Sequence, residues 1–195
     1  MSLSRSACVF VLLIGSFVAA QGQEGNSVPS NDEVELVLTQ TDRAIQQYEL
    51  AINDEQTEMG KDGSGAVSKD REVVDSLRLA VKVFRKQPQA FNGPLGFAFF
   101  EWLDDASRNA EVCANYASGQ VAVQIMRGNA NKAQSLMHLG QSCSDASTLI
   151  YTVSENAGAL YQRYIKSIGQ AATACASMLE KCTAALKKGH ASSGK

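Results

Sequence analysis

Proline, histidine and charge are all scarce in parts of this chain, and each shortage excludes something. Only three prolines occur, Pro29, Pro88 and Pro94, so no pyrrolidine ring interrupts a helix anywhere after 94. The two histidines, His138 and His190, stand apart; His138 has no acidic residue at i±3 or i±4, and His190 falls in a polar tail. No H-x-x-x-H, G-x-S-x-G, P-loop or dinucleotide-binding pattern is present, so the sequence offers no catalytic residues, no metal ligands and no cofactor site. Asp62-Gly63-Ser64-Gly65 lacks the acidic spacing and closing Glu of a calcium loop and reads as a turn. There is no Cys-x-x-Cys and no N-x-[ST] sequon. A formal net charge of −2 gives no reason to expect a nucleic-acid partner. Beyond residue 20 no run is apolar enough to span a bilayer, so no integral membrane segment is expected.

What is present begins with the leader. Arg5 precedes an apolar stretch from Ala7 to Phe17, and Val18-Ala19-Ala20 supplies small residues at a cleavage position. That order is the signature of a secretory signal peptide over 1–20 and predicts a secreted, extracellular product. Residues 21–30 read as a flexible polar leader and 31–188 as a single helical domain with a polar, disordered tail over 189–195. Cys8 leaves with the signal, and Cys113, Cys143, Cys175 and Cys182 remain. An even number in an oxidising compartment favours two disulfides.

The helical pattern is strong. Ser30-Asn31-Asp32-Glu33 has the capping-box form, and Val34, Leu38, Thr41, Ile45, Tyr48 and Ile52 follow on one face. A second helix is expected from Ser68 to about Gln87, although 77–83 also alternates like a strand. Residues 31–62 hold nine acidic and two basic side chains, whereas 68–88 hold six basic and three acidic, which favours an antiparallel hairpin over 31–88. The Pro- and Gly-rich stretch 88–96 is the internal boundary. In the Pro-free part, 97–188, a third helix carries Phe99, Leu103, Ala106, Ala110, Cys113 and Ala117 and stops near Gly128. A short piece from Ala130 to Leu139 ends at Gly140, and a long helix follows from Ala146, with Gly158 and Gly169 as its expected interruptions. The fold expected is all-α: a bundle of four to five amphipathic helices with disulfides bracing its C-terminal half.

Cys175 and Cys182 are seven residues apart, about 10.5 Å along a continuous helix and beyond the reach of a disulfide. That favours bonds from Cys113 and Cys143 to the last helix. Against it, Cys113 and Cys143 are each fifteen residues from Gly128, so a hairpin turning there would set those two level, join them, and force Cys175 and Cys182 together through an unwound turn.

Candidates for function are few. The acidic clusters Asp54, Glu55, Glu58 and Glu101, Asp104, Asp105 read as solvated charge. The aromatics gather beside the Pro/Gly boundary, and Phe100 and Trp102 lie off the apolar stripe; with Phe97 they are a candidate binding patch, the alternative being that they pack under the 88–96 loop. Residues 109–186 carry nine charges in 78 positions, a depletion shared by covered helices and by interfaces. These features point to a non-enzymatic interaction protein, a binder or inhibitor acting on a protein partner or through self-association. The alternative is a carrier enclosing a small apolar ligand between helices.

Overall fold

The computed structural model describes residues 28–59 and 64–192, with side chains defined for 28–59 and 66–184. The expected signal peptide, nearly all of the polar leader and Asp62-Gly63 lie outside the described residues. Four helices and one 3₁₀ turn make up the described chain: α1 (Asn31–Met59), α2 (Ser64–Lys86), the turn Pro88–Asn92, α3 (Pro94–Met126) and α4 (Ala130–Ser192). The protein is all-α, and 77–83, which alternates like a strand, is helical.

Each helix end has a local cause. At the start of α1 the Ser30 amide donates to Glu33 Oε2 at 2.9 Å and the Glu33 amide to Ser30 Oγ at 3.2 Å, a closed capping box. Helix α2 begins at Ser64, four residues before the expected Ser68, and ends at Lys86 because Pro88 cannot continue it. Helix α3 ends in a Schellman motif: Gly128 takes φ of 73°, its amide reaches Ile125 O at 3.0 Å, and Asn129 N reaches Gln124 O at 2.9 Å.

The chain divides into two compact units. The larger, Ser30–Tyr161, holds α1 to α3 and the first half of α4. Ion pairs lace α1 to α2: Glu49 with Arg78 at 2.6 Å, and both Asp42 and Glu35 with Arg85 at 2.7 and 3.1 Å. Their numbering falls along α2 as it rises along α1, so the acidic and basic helices run antiparallel. Inside, Phe84, Phe91 and Phe99 meet edge to face with centroids 5.3–6.2 Å apart, and Leu38, Leu77, Leu103, Leu139 and Ile150 fill the remainder at 1 % exposure or less. The other unit contains 162–192, where Ile165, Ile168 and Leu179 are exposed.

Three expectations are corrected. No break occurs at Gly140, Gly158 or Gly169: α4 is helical from Ala130 to Ser192, which also carries helix into the tail expected to begin at 189. The disulfide joins Cys113 to Cys143, with Cα atoms 6.0 Å apart, so neither is linked to Cys175 or Cys182. The α3–α4 turn at Gly128 sets the first two level, as the fifteen-residue spacing allows. Nor does that pairing unwind the last helix, because α4 runs unbroken through 175–182.

Candidate functional site

A groove of about 480 Å³ opens where α1, α2 and α3 meet. Glu55 and Met59 come from the last turns of α1, Ala66, Lys69 and Asp70 from the start of α2, and Asn109, Val112, Cys113 and Tyr116 from the middle of α3. The wall is apolar and open to solvent, with Val112 68 % and Tyr116 45 % exposed. The floor is the reverse, since Glu55 and Asp70 are carboxylates at 7 % and 6 % exposure.

Helical register explains that floor. Asp70 lies three residues after Val67 and four before Val74, and Glu55 lies three after Ile52, so both occupy the apolar stripes of their helices. Asn109 Nδ2 donates to Asp70 Oδ1 at 2.8 Å. Tyr48, 2 % exposed, directs its hydroxyl to the same point without closing a hydrogen bond of ordinary geometry.

The electrostatics follow from burial. Desolvation pushes the Asp70 carboxyl above its ordinary range, and the neighbouring Tyr48 hydroxyl and Asn109 amide only partly oppose it. Desolvation, then the Asp70 charge, raises Glu55 as well. The Tyr48 phenol is raised by burial first and by Asp70 second. Among the described residues no ion pair engages Glu55 or Asp70. Lys69 lines the groove without reaching either.

The aromatic candidates do come together. Phe97, Phe100 and Trp102 line a separate recess of about 420 Å³ with Glu101, Asp104, Asp105 and Arg108. Phe97 is 48 % exposed and its ring lies 6.1 Å from that of Tyr161. Phe100 packs over Gly158, where a Cβ would come within 2.9 Å of the ring. Arg108 bridges Asp104 and Asp105, so both aspartates are already engaged by one guanidinium.

The acidic run of α1 splits three ways. Asp54 accepts from Ser142 Oγ at 2.7 Å, Glu58 pairs with Lys132 at 2.6 Å, and Glu55 turns into the groove. Asp54 and Glu58 line a third recess with His138, a proximity invisible along the helix of His138 alone. The side chain of His190 lies outside the described residues. Among the described residues no three His, Cys, Asp or Glu side chains are placed to hold a metal ion.

Sequence reasoning missed Tyr48, Asp70, Asn109, Val112 and Tyr116. Two signals were available: a tyrosine hydroxyl on an apolar stripe, which needs a polar partner when buried, and a carboxylate in apolar register on the next helix. Among the described residues no helix is long and apolar enough to cross a membrane. In comparisons with known proteins, no family model, no curated protein and no solved structure matches the chain.

Proposed function

We propose that the protein is secreted and acts without enzymatic turnover, binding a ligand on its helical surface at the groove between α1, α2 and α3. The observation carrying this reading is the contrast within that groove: exposed Val112 and Tyr116 stand over two buried carboxyls that, among the described residues, no cation pairs. A concave, largely apolar site with a few convergent polar groups of shifted pKa is the ordinary form of a ligand site, and its volume falls in the range of such sites. Secretion is supported by the leader sequence and by the Cys113–Cys143 bond, which suits an oxidising compartment. Turnover is disfavoured by the groove's composition, because its one cysteine, Cys113, is committed to that bond and, among the described residues, no serine or histidine lines it. The aromatic recess ranks second, since Arg108 already occupies its aspartates.

Nile red, a neutral apolar dye, tests the reading. Its fluorescence should rise saturably with the folded protein. Val112→Trp, which fills the groove from an exposed position, should remove that rise while leaving the circular-dichroism spectrum and melting temperature intact. Dye binding that ignores the substitution would place the ligand site elsewhere.

A further inference from the structure

We propose that the groove is an amine site, taking a small organic ammonium whose charge meets Asp70 and Glu55 and whose apolar body lies on Val112 and Tyr116. This rests on the groove being the binding site and adds the chemistry of what it takes.

The case begins with what the floor lacks. Two carboxyls from different helices converge in low-dielectric surroundings, yet among the described residues the only side chain donating to Asp70 in good geometry is the neutral amide of Asn109. The Tyr48 hydroxyl, buried beside them, also lacks a well-formed bond. Burying charge is unfavourable unless it is paired and hydrogen-bonded. An ammonium supplies both the missing counter-charge and donors for the carboxylate oxygens. The Tyr116 ring on the wall can also face a cation favourably.

The same features exclude other occupants. A carboxylate or phosphate would bring a third negative charge to a buried acidic floor. A bare metal ion would find two carboxyls where a hard cation needs six or more oxygens, with apolar walls in place of the rest. A recess of about 480 Å³ is the size of a small-molecule site, whereas a stable protein interface covers roughly 800 Å² per partner. A free small amine therefore fits better than a lysine presented by a protein.

Binding of a cation is coupled to protons. The groups facing the carboxyl pair are Tyr48 on α1, Lys69 on α2, and Asn109 and Tyr116 on α3. The proton-linked groups are the two carboxyls themselves, Glu55 and Asp70. Both are held above their ordinary values, so an arriving ammonium favours their ionised forms and releases protons. Amine affinity should accordingly rise with pH through their titration.

The test uses the whole secreted protein with phenethylamine, its neutral analogue phenethyl alcohol and the anionic phenylpropionate. Calorimetric titration in two buffers of different ionisation enthalpy reads affinity and proton release together. Phenethylamine should bind about tenfold or more tightly than the alcohol, as a hydrogen bond to a charged group warrants, and should displace Nile red. Phenylpropionate should be weakest. Asp70→Asn should abolish the preference for amine over alcohol, and Glu55→Gln, a second conservative variant, should reduce it. Equal affinities for amine and alcohol, or a preference surviving both substitutions in folded protein, would overturn the assignment while leaving a Nile red site intact. Failure of Nile red to respond to Val112→Trp would instead remove the groove itself. Tighter binding of acetyl-lysinamide than of phenethylamine would transfer the site to a protein's lysine and equally overturn it.

Discussion

Asn109 Nδ2 donates to Asp70 Oδ1 across 2.8 Å, from α3 to α2, and is the best-formed hydrogen bond this buried carboxyl receives. The bond does not offset the loss of water around Asp70, whose folded-state pKa stays above the ordinary value. A group with a raised folded pKa contributes stability that is fully present below its unfolded pKa and is lost as pH rises through the folded one. Glu55 shares that sign. Asp70→Asn keeps an oxygen that can accept from Asn109 and removes the titrating proton. The variant should therefore melt higher than the parent at neutral pH, and the difference should close towards pH 4, the ordinary carboxylate range. Melting curves across that interval check it; a variant less stable than the parent at neutral pH would contradict it. The same substitution is expected to weaken amine binding, so stability and affinity should move in opposite directions.

Gly96 stands where no other residue fits. A Cβ there would lie 1.8 Å from the Phe91 carbonyl oxygen and 2.8 Å from its carbon, and both are backbone atoms. The first turn of α3 and the 3₁₀ turn before it must therefore separate if a side chain is added. Phe91 is fully buried against Phe84 and Phe99, so that movement disturbs the aromatic core. Gly96→Ala should lower stability by at least the ~1–3 kcal/mol typical of overpacking, measured by urea denaturation.

How far the sequence discloses this molecule depends on what kind of signal each residue carries. Periodicity and end chemistry were legible: the Ser30–Glu33 box, the stop before Pro88 and the antiparallel acid–base hairpin all follow from local pattern. The glycines were misleading because a helical glycine has two meanings. At Gly158 the missing side chain makes room for the Phe100 ring, whereas at Gly140 a Cβ would make only ordinary contact with Ala117 and Ser118, and neither glycine ends the helix. Half the geometry of the disulfide was legible, since the equal spacing from Gly128 pointed to Cys113 and Cys143, but expecting all four cysteines to pair, with Cys175 and Cys182 beyond each other's reach on one helix, favoured bonds to the last helix instead. The groove was hidden for a different reason. It is assembled from Glu55, Asp70 and Asn109 on three helices, and no single-helix pattern reports which faces of three helices converge.

Gly119 is the counterpart of Gly96. It lies in α3, exposed, and a Cβ there would meet nothing within 4 Å. The residue then exacts only the entropic cost of glycine in a helix. Gly119→Ala should stabilise the protein by about 0.5–1 kcal/mol, because alanine loses less backbone freedom on folding. A rise in the urea midpoint with an unchanged denaturant slope would bear this out, and a fall would mean that the site is covered in solution.

The Cys113–Cys143 bond closes a 30-residue segment over the α3–α4 turn. Loop-closure entropy assigns such a cross-link about 3–4 kcal/mol. Reduction, or the double substitution Cys113→Ala with Cys143→Ala, should lower unfolding free energy by roughly that amount. Trypsin cleaves after Arg108, Arg127, Lys132 and Arg163, so a non-reducing digest should contain 109–127 joined to 133–163 and lose that species on reduction. A fragment joining either cysteine to the peptides bearing Cys175 or Cys182 would contradict the observed pairing. Because Cys113 also lines the groove, reduction should loosen its α3 wall and weaken Nile red binding before the helices unfold. Loss of dye binding only at the global unfolding midpoint would show that the wall is held by core packing alone.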